Sequence, residues 1–224
     1  MNNYQTLKSY NSENKQVALI QYEGKKAILK LAKDSEQTKR EVQVMKLISN
    51  TGYAPKVLFE ADKYFICEYI EGKSFLQSYV ESTLIDDDIA LSALAQKLAI
   101  FIQMVHSIID NKVFKHIDFA NFVISDERCV GVSYDGVVDG MPYDDVAQVI
   151  AFAITHASGE YYSSFPFVGK FLECFHLKVI DIVNDLSDTM TKYDPYNLLD
   201  KQAVMDTLIS FEEKGTAWKI IGNK

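Results

Sequence analysis

The 224-residue chain has three cysteines, no internal repeat, no low-complexity stretch and no excess of positive charge. Cys67, Cys129 and Cys174 are widely separated in apolar segments, which argues against a disulfide framework and reads them as core thiols. The start, Met1-Asn2-Asn3-Tyr4-Gln5, lacks the basic and apolar pattern of a secretion signal, so a cytoplasmic location is expected. With 23 basic and 31 acidic residues the formal charge is −8, which opposes nucleic acid and anionic membranes as partners and mildly favours a cationic one. Hydrophobic residues make up 48%, enough at this length for one core and too little for a second independent domain.

What the chain does contain is concentrated in one stretch. Phe114-Lys115-His116-Ile117-Asp118-Phe119-Ala120-Asn121-Phe122, followed by Val132-Ser133-Tyr134-Asp135-Gly136, sets two Asp and one Asn on short turns between apolar strands. Such turns hold polar groups rigidly, and this set suits Mg²⁺ and a phosphoryl acceptor. Taken singly, His116 also reads as a core histidine and each Asp as a turn cap.

At these residues the sequence resembles the protein-kinase-like phosphotransferases, and most closely the aminoglycoside phosphotransferase and choline kinase branch. The resemblance implies that Asp118 accepts the proton of the acceptor hydroxyl, and that Asn121 and Asp135 hold the metal. One departure stands out: Asp118 and Asn121 are three positions apart, against about five in the family pattern. Asp118 to Asp135 is seventeen positions, close to the usual spacing.

Upstream, residues 16–22 and 26–32 read as strands joined by the Glu23-Gly24-Lys25 turn. Alternation leaves open which face Lys30 occupies; the resemblance implies the strand lysine that neutralises nucleotide phosphates. Residues 35–48 read as a helix capped by Ser35, with Val44, Leu47 and Ile48 at helical spacing. Glu41 borders its buried face, where it either reaches back to Lys30 or joins a solvated charge pattern. Two further strands meet at Asp62-Lys63, and the second runs into Glu71-Gly72. By resemblance this is the hinge, with main-chain groups from Glu68 to Ile70 facing adenine.

Asp86-Asp87-Asp88 precedes an apolar helix over 89–109, where acidic side chains favour the helix start. Gln96, Lys97 and Gln103 interrupt that helix and argue against a membrane span. Another helix begins after Pro142, with Asp144 or Asp145 as its cap. In the family an Asp there tethers the catalytic loop, and Asp145 matches that position better. Helices are expected over 169–185 and 199–214, with Glu173, Asp181 and Asp185 offering an acidic acceptor face. No Gly-rich phosphate loop lies between Leu7 and Val17.

The expected fold is α+β: a bilobal, protein-kinase-like single domain over 1–224. Its N-lobe, about 1–70, is a small antiparallel sheet with one helix, and its C-lobe, about 71–224, is mainly helical. The implied activity is Mg²⁺-dependent transfer of a phosphoryl group from ATP or GTP to a hydroxyl of a small acceptor, which the charge balance tilts toward a cation. An atypical protein kinase and a nucleotide-binding pseudokinase are the alternatives.

Overall fold

The structure, a computed structural model, describes residues 4–11, 16–32, 34–110, 112–134 and 136–214. It has the expected α+β, two-lobed architecture. Strands β1 (Tyr4–Asn11), β2 (Gln16–Tyr22), β3 (Lys25–Leu31), β4 (Val57–Glu60) and β5 (Tyr64–Glu68) form one antiparallel sheet in the order β1-β2-β3-β5-β4. The β2–β3 turn works because Glu23 and Gly24 both adopt positive φ, which matches the twist of the flanking strands. Helix α1 (Ser35–Ser49) packs on β4 and β5 through Val42, Met45 and Ile48, all of them buried. Its cap is Asp34, whose side chain accepts from Gln37 N at 2.6 Å. Ser35, expected at that position, is instead the first helical residue. Asp34 has the extended backbone of a cap, and a carboxylate at the positive end of the helix dipole is favoured further.

The connection to the helical part runs through residues 69–72 into β6 (Lys73–Ser74). At Gly72 a Cβ would lie 2.2 Å from the Ile124 carbonyl oxygen, so only glycine lets this segment pass so close to the strand below. Helices α2 (Phe75–Leu84) and α3 (Asp88–Ile108) follow. Among the described residues α3 alone is long and apolar enough to cross a membrane. Here Leu91, Ala95, Leu98, Phe101 and Ile102 are buried in the protein core. Asp87 caps α3, and Lys97 pairs with Glu127 across the neighbouring hairpin.

Strand β7 (Lys112–Phe114) leads into the motif turn, a 3-10 turn at Phe119–Asn121, and the hairpin β8 (Phe122–Ser125) and β9 (Arg128–Gly131). Strand β10 (Val137–Asp139) returns to pair with β7, which brings the two ends of the motif together. Among the described residues four α-helices follow: α4 (Pro142–Thr155), α5 (Phe165–Cys174), α6 (Val179–Tyr193) and α7 (Lys201–Lys214). The single helix expected over 169–185 is broken between α5 and α6. His176 takes a left-handed φ of 56°, and Asp181 accepts from Lys178 N at 2.8 Å to start a new helix. Apolar residues continue on both sides of this break, so hydrophobic spacing alone reads straight across it.

Candidate active site

Lys30 sits on β3 with only 9% of its surface exposed. Its Nζ donates to Glu41 Oε1 at 2.7 Å and to the Val132 carbonyl at 2.6 Å, and lies 5.6 Å from the centroid of the Phe65 ring. Glu41 Oε1 also accepts from Tyr134 N at 3.1 Å. One carboxylate therefore joins the sheet, helix α1 and the segment that enters Asp135. A buried ion pair carries a desolvation penalty that the attraction offsets only when the geometry is good and the remaining bonds are satisfied. Here the extra main-chain partners supply that satisfaction. Of the two readings left open for Glu41, the structure has the one that reaches Lys30.

Asp135 lies outside the described residues. Its neighbours are fixed: the Tyr134 hydroxyl donates to the Tyr53 carbonyl at 2.9 Å, and Lys115 N donates to the Gly136 carbonyl. Cys67 is buried on β5 near this ion pair, and burial pushes its thiol up to about 11. Cys129 is buried as well and shifted in the same direction, while Cys174 is half-buried. Cys67 and Cys129 are thus the core thiols the sequence suggests, protonated at neutral pH where a reactive cysteine would be ionised, whereas Cys174 lies at the edge of the core.

On the helical side the motif is held by its backbone. Phe119 is fully buried, with ring centroids 4.5 Å from Phe152, 5.0 Å from Phe75 and 5.1 Å from Tyr79. Burying one such ring contributes roughly 1.5–3 kcal/mol, which anchors the turn. Asp118 caps that turn, its Oδ1 accepting from Ala120 N at 2.8 Å, and Asn121 N donates to the Asp118 carbonyl at 2.9 Å. The Asn121 carbonyl accepts from Val132 N at 2.8 Å, which links the turn to the segment carrying Asp135. Asp118 and Asn121 thus share one rigid turn, with Asn121 at its end.

Three buried side chains tie down the strand and turn before Asp118. Asp145 Oδ1 accepts from Phe114 N at 2.9 Å, and its Oδ2 lies 2.8 Å from His106 Nε2. Gln148 donates to the Phe114 carbonyl at 2.7 Å and accepts from Ile117 N at 3.2 Å. The Tyr193 hydroxyl accepts from Ile117 N and donates to the Ile117 carbonyl, both at 2.9 Å. Asp145 is the tether that the resemblance implies, while Asp144 takes the other role, accepting from Met141 N at the start of α4. Burial raises the Asp145 carboxyl above the ordinary carboxylate range, against the lowering influence of His106 and Phe114 N. Desolvation lowers the His116 imidazole, with His156 and Lys192 adding to that effect and Asp118 opposing it.

Gln148, Tyr193 and His106 did not emerge from the sequence. Gln148 had a signal, being a polar residue one turn after Asp145 in an otherwise apolar helix. Tyr193 had none, because its partner Ile117 lies 76 positions away.

At the segment expected as the hinge, Glu68 N donates to the Lys56 carbonyl at 2.9 Å and the Glu68 side chain accepts from Lys56 N at 3.1 Å. An open groove of about 580 Å³ runs along Tyr69, Ile70, Glu71 and Gly72, facing Ile124, Ser125 and Asp126. Ile70 lines this groove. The acidic face expected from Glu173, Asp181 and Asp185 does not assemble. Glu173 pairs with Lys170 on α5 and Asp181 caps α6, while Asp185 lines a cavity of about 370 Å³ with Asp139, Asp144, Asp188, Lys115 and Lys192.

For a metal, no group of three His, Cys, Asp or Glu side chains gathers among the described residues. Mg²⁺ needs no such cage, since it is held by one or two protein oxygens together with phosphate and water. The Asn121 side chain, at the end of the motif turn, offers an amide oxygen of that kind.

No family model and no curated protein matches the chain. Among solved structures, the fold is similar to that of the kinase PK-1 of the Cydia pomonella granulovirus. The TM-score is 0.50 at 18% identity, over 78% of this chain and 70% of that one. The fold is therefore protein-kinase-like. This likeness does not single out the aminoglycoside phosphotransferase and choline kinase branch.

Proposed function

We propose that this chain is a phosphotransferase that moves the terminal phosphoryl group of ATP or GTP to a hydroxyl of a small acceptor. The observation that carries the reading is the buried Lys30–Glu41 pair at 2.7 Å, bonded to the main chain of residues 132 and 134 beside the turn that carries Asp118. Such a cation, held by a carboxylate rather than left to pair with solvent, supports the reading in which Lys30 offsets phosphate charge. The kinase neighbour supports the same reading at the level of fold.

In the reaction the acceptor oxygen forms a bond to the terminal phosphorus as the bridging bond to the nucleoside diphosphate breaks. The hydroxyl proton passes to Asp118: Oδ1 is held by Ala120 N, and Oδ2 takes the proton. Asn121, with Asp135, would hold Mg²⁺, which when bound supplies charge neutralisation on the phosphates. Glu68 and Ile70 would meet the base through main-chain groups. A small acceptor fits the short path between motif and helix, since only residues 136–141 separate Asp135 from α4 and leave little chain to dock a peptide.

A second reading, a nucleotide-binding pseudokinase, is favoured by one observation: Asp118 and Asn121 sit only three positions apart on a single 3-10 turn. Nucleoside diphosphate release, assayed with Mg²⁺, both nucleotides and a panel of cationic and neutral hydroxyl compounds, separates the two. Turnover that responds to an acceptor supports the transferase, whereas tight nucleotide binding without turnover supports the pseudokinase. If only the neutral hydroxyls are used, the cationic acceptor is ruled out and the transferase stands.

A further inference from the structure

We propose that Tyr193 is a positioning residue for the catalytic turn, its hydroxyl fixing the orientation of Asp118 through the main chain of Ile117. This inference rests on the phosphotransferase reading. Ile117 lies between β7 and the 3-10 turn, where no strand ladder satisfies its main-chain groups, and a buried N–H or C=O without a partner is costly. One phenol meets both. Its hydroxyl accepts from Ile117 N at 2.9 Å and donates to the Ile117 carbonyl at 2.9 Å, with Gln148 Oε1 3.3 Å away. The Ile117 carbonyl belongs to the peptide group that links it to Asp118, so holding that carbonyl sets the plane from which Asp118 departs.

The phenol is itself fixed. Tyr193 is the last residue of α6, 9% exposed, and its ring stacks on His116 with centroids 4.8 Å apart and planes 20° apart. Phe152 meets it edge-on at 5.7 Å. The next residue, Asp194, accepts from Leu198 N and Leu199 N, both at 2.9 Å, so the chain leaving the helix is held as well. Tyr193 also lines a cavity of about 320 Å³ shared with Tyr161 and Tyr196. On the side of the turn, therefore, the hydroxyl is the feature that fixes direction, and the ring supplies the packing.

Tyr193→Phe separates the two contributions, because it keeps the ring and its stack and removes only the hydroxyl. With the full chain, Mg²⁺, nucleotide and an accepted hydroxyl compound, kcat should fall about ten- to hundred-fold, the scale of a small misplacement of a reacting group. The nucleotide KM should stay within about two-fold. The same substitution made in Asp118→Asn should cost almost nothing further, since residues acting as one unit are not additive. A fall of equal size in both backgrounds, an unchanged kcat, or a variant that does not fold would overturn the inference and leave Tyr193 a structural residue. A wild-type chain without turnover for any acceptor would overturn the phosphotransferase reading itself, and this inference with it.

Discussion

Lys30 on the sheet side of the site is held by charge, whereas Asp118 on the helical side is held through its neighbours' backbone. The Lys30–Glu41 pair joins two side chains eleven positions apart, both buried, at 2.7 Å. The turn from 114 to 121 is held from α4 and α6, by Asp145, Gln148 and Tyr193, each bonding to main-chain atoms. The contrast suits the two tasks proposed for these residues. A group that must offset phosphate charge has to be a charge itself, and its partner fixes it only if both are out of water. A group that must point at one proton needs direction, which the two peptide planes flanking Ile117 provide, one pinned at its N–H and the other at its C=O.

The largest effect that sharpens this contrast is expected from Asp118→Asn. It keeps size and removes the base, so turnover should drop by about 10² to 10⁴ while nucleotide affinity is retained. A turnover assay beside a binding isotherm reads both, and undiminished turnover would move the base to another residue.

Next comes Lys30→Met, which leaves the buried Glu41 without its counter-charge and should destabilise the fold by roughly 3–5 kcal/mol. Adding Glu41→Leu should recover the part of that loss due to the lone buried charge, because a buried ion pair replaced by apolar side chains is often close to neutral, while the Val132 carbonyl and Tyr134 N left without these partners keep the recovery incomplete. Denaturant melts of the single and double variants decide the point. No recovery in the double variant would mean that the pair is needed for the fold rather than for phosphate.

On the backbone side, Gln148→Leu removes the partner of the Phe114 carbonyl and one partner of Ile117 N and should cost about 1–3 kcal/mol. No apolar second change should restore it, since the orphaned groups belong to the main chain. A compensating apolar substitution that did restore stability would break the contrast drawn here.

The smallest effect is one of pH. The Asp145 carboxyl lies above its ordinary 3.8, chiefly through burial. The native state therefore holds that proton more tightly than the unfolded chain, so the contribution is full below the ordinary value and is lost as pH rises through the raised one. Asp145→Asn should flatten this fall in stability on the alkaline side of 3.8. Urea midpoints taken across that range for both proteins provide the check; parallel curves would assign the slope to other groups.

The same contrast explains how far the sequence could be read. The β3 lysine, the helix bearing Glu41, the motif turn and its hairpin are local patterns, marked by alternation, helical spacing and turn residues within short windows. The Lys30–Glu41 pair was one of two open readings because strand alternation does not fix a face; the burial of Leu29 and Lys30 side by side shows how the pattern breaks there. Asp34 displaced Ser35 as a cap because both residues are good caps and only backbone geometry chooses between them. The break at 175–178 and the role of Tyr193 were not legible. The first depends on one left-handed residue inside a continuous apolar pattern, and the second on packing α6 against α4, which no local window contains.

The central claim is that Lys30 offsets the phosphates of a bound nucleotide, and calorimetric titration of Mg²⁺-nucleotide into the wild-type chain and into the folded Lys30→Met, Glu41→Leu variant tests it most directly. The account predicts saturable binding of ATP or GTP to the wild type and a loss of at least ten-fold in affinity in the variant. Equal affinity in both proteins, or no binding to the wild type at millimolar nucleotide, would contradict it.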